Sequence, residues 1–105
     1  MKKSDYLYGI KVSGAIDTKR LVEYLYSKGY LWAGDRSEDK DESIEYREFT
    51  LEECIKHNES CIGIEHNDRL CYNVPGHRVD HYFEFDNEFI EKFDFHLESN
   101  KMGLL

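Results

Sequence analysis

Apolar residues recur along this chain with two periods, and the switches between them mark out the elements. Over residues 6–12, Tyr6, Tyr8, Ile10 and Val12 alternate with Leu7, Gly9 and Lys11, the period of a half-buried strand. After Gly14 the spacing changes. Leu21, Val22, Leu25 and Tyr26 recur at three to four residues, which predicts a helix over 18–28, with Asp17 as its N-cap and Gly29 as the left-handed residue that ends it. Residues 30–32 read as a short strand, and 35–42 carry too much charge to be buried, so they read as a solvated loop or hairpin tip. A further strand is expected over 44–49. Thr50 and Glu53 then form a capping box that starts a short helix with Leu51, Cys54 and Ile55 turned inward.

The pattern then becomes a hairpin. Two apolar runs, 61–66 and 70–74, flank Asn67, Asp68 and Arg69; a three-residue loop there puts Ile62 and Ile64 on one face with Leu70, Tyr72 and Val74, whereas a two-residue loop scatters them. The Pro75-Gly76-His77 turn leads into another alternation, with His81, Phe83 and Phe85 on one face. Asp86 suits the cap of a final short helix bearing Phe89, Ile90 and Phe93, although residues 92–97 also alternate as a strand would. These elements predict an α+β fold: a mainly antiparallel sheet of four to five strands packed on one main helix, with one or two short helices.

Composition narrows the class. The 105 residues suit one domain over 1–105, with an acidic loop at 35–43 and a frayed tail at 99–105. Forty per cent apolar content and fifteen aromatic residues are too many for a disordered chain. The segment has neither a signal-peptide pattern nor a run of roughly 20 apolar residues, so a cytoplasmic protein without a membrane partner is expected. Three cysteines, an odd number, suggest free thiols.

The net charge is −8, unevenly spread: residues 1–28 are +3, which leaves −11 for the rest. Such a surface repels nucleic acid and attracts basic proteins.

Catalytic and metal motifs are scarce. Cys54, His57, Cys61, His66, Cys71, His77 and His81 are ligand types that zinc favours, but no Cys-x-x-Cys pair is present. The expected hairpin sets Cys71 opposite Glu65, with Cys61 four residues further along. That is roughly 13 Å, too far for one ion or a disulfide. His77, Asp80 and His81 could supply a base and its orienting group, but no nucleophile elbow or phosphate loop accompanies them. The sequence therefore predicts a protein without catalytic residues, metal or cofactor.

What remains is an aromatic and acidic junction. Tyr30, Trp32 and Tyr46 bracket Asp35, Glu38, Asp39, Asp41 and Glu42, an arrangement of anchors beside carboxylates that suits a host protein with a basic surface. In the alternative reading, Trp32 plugs the core under the helix. A second function class is a sponge for a nucleotide signal, with Lys19, Arg20, Arg69 or Arg78 meeting phosphates, a site that often lies within a homo-oligomer. A small metal-dependent or hydrolytic enzyme is the third.

At Leu25, Gly29, Tyr30, Trp32 and Gly34 the sequence resembles a loose group of small uncharacterised phage proteins in which a strand and helix precede a Gly-Tyr-x-Trp segment. The resemblance covers the first third of the chain. It implies a structural tryptophan closing the helix onto the sheet, and a phage or prophage setting in which small acidic proteins act on host defences. The long acidic stretch after Gly34 departs from that pattern.

Overall fold

The computed structural model describes residues 4–33 and 44–101. Their elements are β1 (Tyr6–Lys11), α1 (Ala15–Ser27), β2 (Leu31–Trp32), α2 (Ile44–His57), β3 (Cys61–Ile64), β4 (Arg69–Val74), a 3₁₀ turn (Gly76–Arg78), β5 (Val79–Glu84) and α3 (Phe89–Lys101). The strands form one sheet in the order β2-β4-β3-β1-β5. It is mixed rather than mainly antiparallel. The pairs β1/β3 and β3/β4 are antiparallel, whereas β1/β5 and β2/β4 are parallel.

One buried cluster joins the sheet to all three helices. Tyr8, Ile10, Ile62, Ile64 and Leu70 meet Leu21, Val22 and Leu25 of α1, Cys54 of α2, and Phe89 and Phe93 of α3. The apolar stripe of α1 is the one its spacing predicts. Its start differs: the helix begins at Ala15, directly after Gly14, so Asp17 lies inside the first turn and does not cap it. There Asp17 complements the helix dipole and faces Arg20 at 3.6 Å. Thr18 takes over the local bonding, its hydroxyl donating to the Gly14 carbonyl (2.7 Å). Gly29, at φ 95°, ends the helix as expected.

The region after residue 43 is not strand followed by capped helix. Ile44–His57 is one continuous helix, and Thr50 and Glu53 lie in its interior. No glycine or proline interrupts the segment, and Ile44, Leu51, Cys54 and Ile55 recur at helical spacing, so the Thr-x-x-Glu pattern fell by chance within a longer helix. At the other end, α3 resolves the helix-or-strand ambiguity as a helix of 13 residues. Asp86 makes a turn just ahead of it, its Oδ1 accepting from Glu88 N–H (2.9 Å) and its carbonyl from Phe89 N–H (3.2 Å), but the Glu88 carbonyl takes the first helical bond, from Lys92 N–H (3.0 Å), so the expected cap falls two residues before the cap position. Phe89 and Phe93 are buried, but Ile90 is 44% exposed. The helix continues through the buried Ser99 to Lys101, and the rest of the expected frayed tail lies outside the described residues. Three helices of similar length thus replace one main helix with shorter companions.

The hairpin has the expected three-residue loop, shifted by one residue. Glu65 N–H donates to the Arg69 carbonyl (2.8 Å) and Asp68 N–H to the Glu65 carbonyl (3.0 Å), so the loop is His66, Asn67 and Asp68. Asp68 sits at φ 67°, the left-handed position that such a loop requires. Ile64 therefore faces Leu70, and Gly63 rather than Glu65 faces Cys71. A register irregularity further along sets Val74 opposite Cys61, with Asn73 at φ 60°. It takes Val74 out of the main core, contrary to the alternation, and turns it toward Gly63 on the face away from the helices.

That second face carries the connection from β4 to β5. A Cβ built on Gly63 would lie 2.6 Å from Val74 Cγ2, and one on Gly9 would lie 2.7 Å from Val79 Cγ1. Gly9 and Gly63 are direct partners across β1 and β3. The two glycines together make a trough in which the crossover lies, and Cys61 and Val74 are buried beneath it. Because this crossover brings the chain back to the start of β1, β5 enters the sheet parallel to it.

Candidate interaction surface

The expected anchors divide between core and surface. Trp32 is 2% exposed and Tyr30 is 8% exposed, so both belong to the core. Here the reading that has Trp32 plugging the core under the helix holds, because β2 pairs Trp32 with Leu70 on the helix-covered face. The Trp32 Nε1–H donates to Tyr26 Oη, and the Arg47 guanidinium stacks 3.9 Å from the Tyr26 ring centroid. Those contacts tie β2, α1 and α2 together. Asp35, Glu38, Asp39, Asp41 and Glu42 lie outside the described residues. Tyr46, at 37% exposure, is partly open, and its hydroxyl lies 3.5 Å from the Ala33 carbonyl. It therefore draws together the two ends of the chain that flank the acidic stretch.

The surface of α2 was not legible as an interaction face, because the segment reads as strand and then helix. Of its 14 residues only Cys54 is buried. Ile44 is 71% exposed and Phe49 62%. Between α1 and α2 runs a groove of about 500 Å³, lined by Lys19, Glu23, Tyr26, Arg47, Leu51 and Ile55 among others. Residues 35–57 carry nine carboxylates against four cationic side chains. Exposed apolar side chains on a helix that follows directly from an acidic stretch are the features of a docking surface.

The four cations suggested as phosphate ligands are not brought together. Lys19 lines the α1–α2 groove, whereas Arg20 stands 5.9 Å over the Phe85 ring. Arg69 pairs with Leu31 at the β2 edge, and Arg78 faces Asp5 (3.4 Å) beside β5. From β4 to β5 is three strand spacings, about 14 Å.

The histidine and carboxylate cluster is also rearranged. Asp80 turns to Ser4 and His66 instead of forming a relay with His77 and His81. It accepts from Ser4 N–H (3.2 Å) and lies 3.6 Å from His66 Nε2. Those hydrogen bonds from Ser4, helped by His66, hold its carboxyl below the usual carboxylate range. His81 instead packs against His96, with ring centroids 4.7 Å apart, and both rings lie against Tyr8. Burial, and then His81, lower the pKa of His96. This aromatic cluster between β5 and α3 had only one sequence signal, the alternation of His81 with Phe83.

Burial pushes the Cys54 thiol up to about 12, and burial with the nearby Glu65 carboxylate does the same for Cys71. All three cysteines are free thiols. Among the described residues no three His, Cys, Asp or Glu side chains converge as a metal site requires, and no helix is long and apolar enough to cross a membrane.

The fold and surface define a two-layer α+β domain with a weakly buried acidic helix at one side. No protein-family model, curated protein or solved structure matches the chain.

Proposed function

We propose that this protein is a small acidic phage-type inhibitor that binds and blocks a host defence or nucleic-acid-handling protein in the bacterial cytoplasm. The observation that carries the reading is the combination on α2: Ile44 and Phe49 exposed, only Cys54 buried, and a run of carboxylates immediately before the helix. Asp35, Glu38, Asp39, Asp41 and Glu42 imitate the charge of a nucleic-acid backbone and speed encounter with a basic surface. Tyr46 and Phe49 supply the apolar contact that slows dissociation, a role that Tyr30 and Trp32 cannot take from within the core. The phage setting rests on the resemblance at Leu25, Gly29, Tyr30, Trp32 and Gly34 alone.

Nucleotide sequestration has less support, since its four candidate cations are dispersed. For an enzyme, the three cysteine thiols offer little support, since burial raises the pKa of each.

Affinity capture from host lysate, followed by native mass spectrometry, tests the proposal. A stoichiometric basic protein should co-elute with wild type. Its capture should fall steeply with salt and with reversal of the five named carboxylates to lysine. A charge-reversed variant that binds and inhibits as wild type does would overturn the mimicry, and retention of a nucleotide without a protein partner would favour the sponge.

A further inference from the structure

β5 closes one side of the sheet, and among the described residues no strand pairs with its outer edge. Its ladder with β1 determines which backbone groups face outward. Phe85 N–H donates to the Lys11 carbonyl (2.8 Å), and backbone direction alternates along a strand. His81, Phe83 and Phe85 therefore turn their N–H and C=O groups toward β1, while Asp80, Tyr82 and Glu84 turn theirs away. The register with β1 runs unbroken from Val79 to Glu84, and the strand contains neither proline nor lysine. Of the usual devices that blunt an edge it carries only charge, Asp80 and Glu84, which restricts pairing to registers in which these carboxylates do not oppose one another.

We propose that a second copy of this chain pairs with this edge, β5 antiparallel to β5, joining two five-stranded sheets into one. Charge selects the register. Hydrogen bonding requires outward-facing residues to oppose one another, which leaves four ways of centring the strands on each other. Centring on Tyr82 sets Asp80 against Glu84 twice, centring on Phe83 sets Asp80 against Asp86 twice, and centring on Asp80 brings the two Asp80 carboxylates together. Centring on His81 opposes no carboxylates. It pairs Asp80 with Tyr82, Val79 with Phe83, and Arg78 with Glu84, each twice, so two opposite-charge pairs replace the repulsions. Arg78 and Glu84 are both exposed; Arg78 ends the 3₁₀ turn just before β5 and would exchange its partner Asp5 for Glu84 of the second copy.

Apolar surface lies beside the same edge. Phe95 is 71% exposed and, with Phe83 and His96, lines a groove of about 430 Å³ between α3 and β5. Joined strands bring the two copies of this groove to one seam, which adds apolar burial to the backbone hydrogen bonds. Dimer formation is independent of the inhibitory role and uses the side of the sheet opposite β2.

Sedimentation velocity on the full chain tests the pairing. Wild type should run at twice the 12.5 kDa chain mass. Arg78→Glu and Glu84→Arg should each weaken the dimer by about tenfold or more, and the double variant should restore it, because the swapped charges again oppose. Tyr82→Pro removes an outward N–H without touching the ladder to β1, so it should give a monomer with wild-type circular dichroism. A wild-type protein that stays monomeric up to millimolar concentration overturns the proposal. So do single charge variants that dimerise as wild type does, or a double variant that fails to recover.

Discussion

Replacing Gly63 with alanine tests the crossover on the second face of the sheet. The new Cβ would lie 2.6 Å from Val74 Cγ2, 3.1 Å from its Cβ and 3.2 Å from its Cγ1. Ordinary carbon contacts begin near 3.5 Å. Rotation about the valine Cα–Cβ bond offers little relief: it exchanges one methyl for another, and the Cβ itself is within the clash. The backbone of the crossover must therefore shift, at a cost of about 1–3 kcal/mol by analogy with overpacked cores. For a domain of this size that lowers Tm by about 5–15 °C, while a stability of about 5–15 kcal/mol leaves most variants folded at room temperature. Urea unfolding of Gly63→Ala, Val74→Ala and the double variant forms the assay. Val74→Ala alone loses buried methyls and costs about 1–3 kcal/mol. The double variant should be more stable than the sum of the two by about 1–2 kcal/mol, since the alanine at 74 makes room for the one at 63. A neutral Gly63→Ala, or two effects that simply add, would refute the close approach on which this account of the parallel β5 rests.

Two further perturbations probe how α3 is held. The Tyr24 hydroxyl donates to Asp94 Oδ1 (2.5 Å) and Lys28 Nζ lies 2.9 Å from the same oxygen, so the hydrogen bond from Tyr24, and then Lys28, hold the Asp94 carboxyl below its usual range. That contribution is present above the unfolded carboxylate value of about 4 and is lost as pH falls through the lower folded value. Because Asp94 is 40% exposed, Asp94→Asn should cost only about 0.5–1 kcal/mol at pH 7 and should flatten the acid limb of the urea midpoint against pH. His96 acts in the same direction at higher pH. Its lowered pKa, from burial and from His81, means that the unfolded chain takes up the proton first, so stability falls as pH drops below the unfolded imidazole value of about 6.5. Tyr8, His81 and Phe83 surround its ring, and His96→Phe should retain those contacts while removing the fall between neutral and mildly acid pH. An unchanged pH profile in that variant would place the titration elsewhere.

By itself the sequence determined what short-range periodicity encodes. Alternation placed β1, the hairpin and β5, helical spacing placed α1 with its buried Leu21, Val22 and Leu25, and Gly29 marked the helix end, because each rests on neighbours within one or two turns of chain. The net charge and its position downstream of residue 28 were legible in the same way. Other features depended on partners distant in sequence. A Thr-x-x-Glu pattern occurs equally at a helix start and inside one, so the box by itself does not show that α2 begins at Ile44, six residues earlier. Strand direction is invisible to alternation: a parallel and an antiparallel β5 have the same inward residues. What decides is where the crossover can lie, and that is the trough made by Gly9 and Gly63, 54 residues apart in sequence and paired across the sheet. Exposure of an aromatic is likewise a tertiary property. Trp32 and Phe49 are both large aromatic groups near the acidic stretch, yet the pairing of β2 with β4 buries one and the outer side of α2 presents the other.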